Sequence, residues 1–218
     1  DEEMPIRFQR VPLDSRFPNS DAMYELMVEY QNNLELAGLP GLGLQPVANH
    51  KGTYAGAESC KECHKKQYSI WRGTGHARAT ESIIEIAEPS RIHDPECVSC
   101  HVTGWNPQNY YPYETGYESL QATPHLVGNG CENCHGPSAD HVNAETNKDQ
   151  FSELERRQLR AALQLTKVQA FENVCMNCHD KDNSPDFDPE TYWPKVDHGG
   201  SVRWDESMSN LSPPPTGH

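Results

Sequence analysis

The sequence predicts a mainly α-helical fold with extensive loops and very little β structure. Hydrophobic residues make up only 35% of the 218 residues, and 17 prolines and 15 glycines interrupt the chain. The apolar residues that are present fall at helical spacing in several stretches. A chain of this length would ordinarily bury a larger core of side chains. We therefore expect something other than side-chain packing to hold the fold together.

A pentapeptide of the form Cys-x-x-Cys-His occurs four times and contains all eight cysteines. This pattern is the attachment signal for a c-type haem: the thiols bind the porphyrin covalently and the adjacent histidine ligates the iron. The predicted covalent anchors are Cys60, Cys63, Cys97, Cys100, Cys131, Cys134, Cys175 and Cys178, and the predicted proximal ligands are His64, His101, His135 and His179.

Four haems would supply the missing apolar core, since side chains can pack on a haem as they pack on one another. The sequence thus predicts a compact multihaem cytochrome c fold organised by four covalently attached haems. We expect such a fold to collapse without its cofactor.

Other chemistry of paired cysteines explains the pattern less well. Two zinc sites could use four Cys-x-x-Cys pairs, but zinc does not require a histidine after each second cysteine. A redox dithiol would need a strand-helix-strand setting, which the sequence does not show. A disulfide scaffold would not keep both cysteines of every pair three residues apart.

Three regions follow from composition. Residues 1–50 form an N-terminal arm with one amphipathic helix and a linker, residues 51–200 the tetrahaem domain, and residues 201–218 a Pro-rich tail. The arm helix should begin at Ser20 or Asp21 and end at Gly38. Its apolar stripe consists of Met23, Leu26, Met27, Tyr30 and Leu34.

Three further segments are also assigned. Ser152 and Glu155 have the spacing of a capping box, which predicts a charged helix running to about Phe171. Several aromatic residues follow the second motif and should wall a haem: Trp105, Tyr110, Tyr111, Tyr113 and Tyr117. In the Pro- and Asp-rich region after residue 180, Trp193 and Trp204 are the expected anchors.

The formal net charge is −14, which argues against nucleic acid or an anionic membrane as a partner. It favours a redox partner protein with a basic docking patch. No apolar run is long enough to cross a bilayer. The sequence begins at Asp1, as a mature product would after removal of a signal peptide. Because c-type haems are attached outside the bacterial cytoplasmic membrane, we expect a periplasmic or extracellular protein.

The spare histidines decide the chemistry. A histidine at the second axial position closes the iron and makes an electron carrier, whereas an empty position lets a small molecule bind and react. Methionine is the other ligand considered, but three of the five methionines lie in the first 27 residues, so histidine is preferred. Seven histidines lie outside the motifs: His50, His76, His93, His125, His141, His198 and His218.

Over roughly residues 54–180 the sequence resembles the tetrahaem cytochrome c-554 family. Short stretches in the same order carry the resemblance. They are Tyr54-Ala55-Gly56, Trp71 and Gly75-His76-Ala77 around the first motif, Asp94-Pro95-Glu96 and Val102-Thr103-Gly104-Trp105 around the second, and Gly128-Asn129-Gly130 and Gly136-Pro137 around the third.

The resemblance implies a packed chain of haems, three of them His/His ligated, in which the second haem can lack a distal ligand. It implies His76 as distal ligand to one of the two later haems and His141 as distal ligand to the first. His198 is the best match to the ligand that the family draws from the segment after its fourth motif.

The remaining histidines are assigned from their positions. His125, shortly before the third motif, is the proposed fourth distal ligand and could close the second haem. His93 is too near the second motif to swing over easily. His50 and His218 lie on the linker and the tail, where each could serve a neighbouring subunit.

The leading expectation is a carrier of single electrons between redox partners, rather than an enzyme. One alternative is a redox enzyme acting on nitric oxide, hydroxylamine or peroxide at an open second haem, with His93 or His125 as general acid. A second is a subunit of a polymeric extracellular cytochrome filament, or another homo-oligomer. A further alternative is that the arm joins the haem domain to a larger enzyme, because similar haem domains occur behind metallophosphoesterase-like enzymes. Residues 1–50 contain no carboxylate and histidine cluster of the kind that such an enzyme needs.

Overall fold

The computed structural model describes residues 8–12, 14 and 16–198. Helices dominate this part of the chain, and the only sheet in it has two very short strands. The α-helices are α1 (Asp21–Gly41), α2 (Lys65–Arg72), α3 (Ala79–Glu81), α4 (Pro95–His101), α5 (Cys131–His135), α6 (Ala139–Thr146), α7 (Glu153–Ala162), α8 (Lys167–Asn173) and α9 (Pro189–Val196). The strands are β1 (Trp105–Asn106) and β2 (Tyr111–Pro112). The mainly α-helical class predicted from the sequence is confirmed.

Helix α1 begins where the sequence predicts, but it continues beyond the predicted end at Gly38. The Ser20 hydroxyl accepts a hydrogen bond from the Met23 backbone N–H at 3.4 Å and caps the N-terminus. At Gly38 the backbone leaves the helical region, with a φ of 56°, and one more turn follows to Gly41. Gln31 and Leu34 are the buried residues of α1, so its middle and end pack on the rest of the chain.

A helical segment follows the first motif in two parts. Helix α2 ends at Gly73, and a second stretch from His76 to Ile86 passes from a 3₁₀ turn through α3 into a π turn. Gly73 and Gly75 lie between the two parts, so His76 stands at the start of its own short helical stretch.

The helix predicted from Ser152 to about Phe171 is wrong in its length. The capping box at Ser152 forms as predicted, with the Ser152 hydroxyl accepting from the Glu155 N–H at 3.2 Å. The helical conformation then ends after α7. Thr166 and Gln169 form a second capping box, which starts α8. Two helices replace one because Thr166 satisfies the N–H groups of a new helix start.

Helix α9 lies in a region where the sequence predicts no helix. Asp188 caps it, accepting from the Glu190 N–H at 3.3 Å, and Pro189 occupies its first turn. Trp193 anchors α9, as predicted, with its ring centroid 5.4 Å from that of Phe171. Trp204 and His218 lie outside the described residues.

The core of the described residues is small. It consists of Ile83, Val98, Val102, Trp105, Tyr117 and Leu126, with Leu39, Tyr54, Ile92 and Cys97 packed against it. Trp105 and Tyr117, predicted to wall a haem, lie in this core, and the Trp105 indole N–H donates to the Tyr117 carbonyl at 2.8 Å. The thin core agrees with the expectation drawn from composition.

Two glycines allow the loop after the second motif to close. The backbones of Gly104 and Gly116 touch, so that a Cβ on Gly116 would lie 1.9 Å from the Gly104 carbonyl oxygen. Gly104 also has a φ of +88°, which L side chains rarely adopt. This contact brings Tyr117 back to the core beside Trp105.

In the part of the chain that the structure describes, no helix combines the length and the apolar character needed to cross a membrane.

Candidate haem sites

Each Cys-x-x-Cys-His motif forms a tight helical turn. The second ends α4 and the third is α5, while the first and fourth follow or form 3₁₀ turns. In the first motif the His64 N–H donates to the Cys60 carbonyl at 2.8 Å, and in the fourth the His179 N–H donates to the Cys175 carbonyl at 2.8 Å. Residues three and four apart in such a turn share a face. Both thiols and the imidazole therefore project to the same side, as covalent haem attachment requires.

Three motif histidines each face a histidine from elsewhere in the chain. The ring centroids of His64 and His141 lie 6.2 Å apart, those of His76 and His179 6.0 Å, and those of His135 and His198 5.9 Å. The rings of each pair are tilted by 41° to 55°, so they are not stacked on one another.

This spacing fits an iron between the rings. A metal–imidazole bond is about 2 Å long, and a ring nitrogen lies about 1.1 Å from the centroid of a ring with bonds of about 1.33 Å. Two imidazoles on opposite sides of one metal therefore have centroids about 6 Å apart. The donor set and the gaps both fit axial ligation of a haem iron.

The other ring nitrogen is engaged in several of these histidines. The Nδ1–H groups donate to backbone carbonyls: His101 to Ala79 at 2.7 Å, His135 to Leu163 at 2.8 Å and His198 to Val196 at 2.7 Å. His179 Nδ1 lies 3.1 Å from the Ser184 hydroxyl. A hydrogen bond at Nδ1 fixes the tautomer and leaves Nε2 available to a metal.

The surroundings of the paired rings favour the neutral imidazole. Burial is the main cause that lowers the pKa of His76, His135, His141 and His179 below the usual value of histidine. Neighbouring histidines lower it further at His76 and His135. A neutral ring is the form that binds a metal.

His101, in the second motif, differs from the other three. Its Nδ1 bonds to Ala79 and lies 3.1 Å from the Ser82 hydroxyl, so Nε2 is free. Among residues 8–12, 14 and 16–198, no histidine ring faces it as in the three pairs. The site at the second motif thus has one histidine in place and no second one in the described structure.

In the described structure no ring contact joins one of the remaining histidines to a motif histidine. His125 packs against Gly56, where a Cβ would meet the His125 carbonyl oxygen at 2.7 Å. His93 Nε2 lies 3.6 Å from a Glu35 carboxylate oxygen. His50 is exposed on the linker, and His218 falls outside the described residues.

The cysteines indicate which sites are neighbours. The Cys131 thiol lowers the pKa of the Cys60 thiol, and the Cys178 thiol lowers the pKa of the Cys100 thiol, so the members of each pair lie near each other. Cys134 lies within electrostatic range of Cys175 and Cys178. The first site thus adjoins the third, the second adjoins the fourth, and the third adjoins the fourth.

Among the described residues, no group of three or more His, Cys, Asp or Glu side chains is arranged to hold a metal ion. The cluster that a zinc site would need is therefore not found in that part of the chain.

Glu132 is a residue that sequence reasoning missed. It lies between the two cysteines of the third motif and is only 3% exposed. Its Oε1 accepts from the Ala55 N–H at 2.9 Å and from the Ser138 N–H and hydroxyl at 2.8 Å each, and its Oε2 accepts from the Gly56 N–H at 2.7 Å. It therefore ties the segment entering the first motif to the third motif and to the start of α6, which carries His141. No spacing rule in the sequence signals this role.

The sequence is similar to those of known cytochromes. Residues 59–136 match the family described as cytochrome c554 and c-prime. Cytochrome c-554 of Nitrosomonas europaea is 28% identical over 179 residues, which cover 72% of this chain and 73% of that protein. The solved structure of reduced cytochrome c554 from the same organism is 27% identical, with a TM-score of 0.41 over 73% of this chain and 83% of that one. The sequence matches confirm the resemblance to the cytochrome c-554 family, whose members are c-type cytochromes with c-type haem as cofactor.

Proposed function

We propose that the chain carries single electrons between redox partners along four closely packed c-type haems, three of them bis-histidine ligated. The haems would supply the one-electron chemistry, and the polypeptide would hold, insulate and order them. The observation that carries the proposal is the set of three histidine pairs with ring centroids 5.9–6.2 Å apart.

The proposed ligands follow from these pairs. His64 and His141 would hold the first iron, His135 and His198 the third, and His179 and His76 the fourth. The eight motif cysteines would form the thioether bonds. Bis-histidine ligation lacks the methionine that raises the reduction potential, so we expect low potentials for a cytochrome c.

The neighbouring thiols support an order for the electron path. Contact of the first site with the third, the third with the fourth and the fourth with the second gives the order 1–3–4–2. Electrons would then enter at one end of this series and leave at the other. The first and second sites are its ends, and each is a candidate docking point.

The proposed partners are redox proteins, and the net charge of −14 favours one with a basic docking patch. We place the protein in the periplasm, where c-type haems are attached. Regions 1–50, 51–200 and 201–218 remain the proposed domain division. Inter-subunit ligation by His50 or His218 remains a prediction, which the mass of the native holoprotein in solution would test.

The test of the proposal is the holoprotein itself. Its intact mass should exceed the polypeptide mass by four haem groups. Low-temperature electron paramagnetic resonance of the ferric protein should show three low-spin haems with bis-histidine signatures. Fewer than four haems, or methionine signatures at the first, third and fourth sites, would contradict the proposal.

A second candidate function rests on His101, which has no opposing histidine in the described structure. An open iron there would allow nitric oxide, hydroxylamine or peroxide to react at the second site. The reduced holoprotein should then bind one carbon monoxide per molecule. A protein that ignores carbon monoxide and is wholly low-spin is an electron carrier only.

A further inference from the structure

Helix α1 presents an apolar face that the described polypeptide covers only in part. The face contains Gln31 and Leu34, which are buried, and one to two turns earlier an arm stripe consisting of Met23, Leu26, Met27 and Tyr30. Met23 is 61% and Leu26 56% exposed, whereas Met27 is half-buried. The residues of one face thus pass from buried to exposed toward the N-terminus.

Three contacts place α1 against the second haem motif. The Gln31 side-chain amide donates to Asp94 Oδ2 at 2.9 Å, and Asp94 is the N-cap of α4. Glu35 lies 3.6 Å from His93. Leu39 packs on the core cluster to which Cys97 also belongs. These contacts hold α1 beside the helix that carries both anchors of the second site.

The exposed part of the arm stripe begins next to the Gln31 contact. Tyr30 adjoins Gln31 in sequence, and its phenol lies within electrostatic range of Asp94, Glu96 and Cys97. Cys97 is a proposed haem anchor, so this end of the arm stripe lies toward the second haem site. From Tyr30 back to Met23 the helix rises about 10 Å, which is comparable to the width of a porphyrin.

A buried polar atom also marks this contact as incomplete. Gln31 Oε1 has no hydrogen-bond partner among the described residues, although the residue is only 5% exposed. Buried acceptors are ordinarily satisfied by protein or water. Gln31 directly follows Tyr30 in α1, at the edge of the arm stripe.

We propose that the arm stripe on α1 forms one wall of the second haem site, so that Met27 and Tyr30 pack directly on the haem held by Cys97 and Cys100. Helix α1 lies outside residues 59–136, the segment that matches the family. The wall would stand at the site whose motif histidine, His101, faces no second histidine ring among the described residues. Tyr30 and Met27 would there limit the access of water and small molecules.

The inference rests on the proposed attachment of a haem at the second motif, and the first measurement separates the two. Holoprotein labelled with ¹³C at the methionine methyls gives five signals, one for each methionine in the sequence. Met23→Leu and Met27→Leu assign the two signals of interest. In the ferrous protein we expect the Met27 methyl signal to be displaced by the ring current of a nearby haem, with Met23 displaced less.

Each of the other outcomes of this experiment has a defined interpretation. A Met27 signal at the position of an exposed methionine, in a protein whose mass shows four haems, would overturn the inference and leave the proposed function intact. A mass showing no haem on Cys97 and Cys100 would overturn both. A displacement that appears only at high protein concentration would assign the stripe to a second copy of the chain and overturn the inference. The extreme shift of an iron-bound thioether would support it, with Met27 as the contact.

A second experiment measures the effect on the site. Tyr30→Ala should open the wall, and Leu36→Ala is the matched control, because Leu36 lies on the same helix and is 85% exposed. In Tyr30→Ala we expect one of the four reduction steps to shift to lower potential, since a solvent-exposed haem favours the charged ferric state. Leu36→Ala should leave all four steps unchanged. If Tyr30→Ala and the parent protein have the same four reduction potentials, α1 does not form a wall of the second haem site.

Carbon monoxide binding adds a further readout. If the second iron is open, the association rate of carbon monoxide should rise several-fold in Tyr30→Ala and stay unchanged in Leu36→Ala. If no variant binds carbon monoxide, the reactive second site fails as a function. The methyl spectrum and the reduction steps then still decide whether α1 contacts the haem.

Discussion

Glu132 Oε2 accepts a hydrogen bond from the Gly56 backbone N–H at 2.7 Å, which joins the third haem motif to the segment that enters the first. All four groups bonded to the Glu132 carboxylate are donors. A protonated carboxyl would place its own donor against one of them. The Glu132 side chain thus accepts all four hydrogen bonds between two proposed haem sites.

Glu132→Gln is expected to change both stability and redox properties. The glutamine NH₂ must face at least one N–H donor, so a buried donor loses its partner, at a cost of roughly 2–3 kcal/mol. Removing a buried negative charge also disfavours the ferric state of nearby haems. We expect a lower denaturation midpoint and at least one reduction step raised in potential.

The control for Glu132 is Glu62, which occupies a similar place inside the first motif but is exposed. Glu62→Gln should leave the denaturation midpoint almost unchanged. Equal behaviour of the two variants would show that the Glu132 hydrogen bonds do not carry the effect.

The contact between Gly104 and Gly116 gives a second prediction. In Gly116→Ala the new Cβ would lie 1.9 Å from the Gly104 carbonyl oxygen, so the backbone must shift. Overpacking of this kind costs about 1–3 kcal/mol. Chemical denaturation followed by haem absorbance should show the loss.

Gly75→Ala is the matched control, because a Cβ there meets nothing within 4 Å and the Gly75 φ is −61°. It should be neutral or slightly stabilising. A Gly116→Ala protein as stable as the parent would mean that the loop closes without this contact.

The pair of His135 and His198 gives a third prediction. Because His198 is the proposed distal ligand of the third iron, His198→Ala should convert one haem to a high-spin form and allow an additional carbon monoxide to bind. His93→Ala serves as control, since the structure pairs His93 with Glu35. An unchanged spectrum in His198→Ala would remove this histidine from the ligand set.

Much of this arrangement could be predicted from local sequence. The four motifs fix which side chains should anchor and ligate the haems, and Ser20 and Gly38 mark the limits of the main helical part of α1. These features depend on residues a few positions apart, where spacing and capping chemistry act directly. The resemblance to a family added His76, His141 and His198 as candidates.

The rest depends on contacts between distant residues. No local rule shows that His198 would face His135 and not His101. The same holds for Glu132, whose partners at Ala55 and Gly56 come from a different motif. The break before α8 was missed for another reason: Thr166 and Gln169 form a capping box that lies inside an otherwise continuous helical pattern.

The last prediction concerns the pairing of α6 with α7. Arg160 Nε donates to Glu145 Oε1 at 2.6 Å, and Arg156 lies 3.7 Å from Glu145 Oε2. This network holds α6, which carries His141, against α7. Glu145→Gln should lower the stability by about 1 kcal/mol or less at neutral pH, as expected for an ion pair near the surface.

The effect of Glu145→Gln should depend on pH in a defined direction. The hydrogen bond from Arg160 is the main cause that lowers the pKa of Glu145 below its usual value. A depressed carboxyl pKa stabilises the fold above the unfolded-state pKa, and this contribution is lost as the pH falls through the folded-state pKa. The difference in stability between the parent protein and Glu145→Gln should thus be present at neutral pH and vanish in acid. Glu190→Gln, which removes the exposed ion pair with Lys167, should show almost no difference at either pH. Denaturation midpoints measured across the acid range would test this, and a difference that persists below the folded-state pKa of Glu145 would mean that packing, and not charge, joins the two helices.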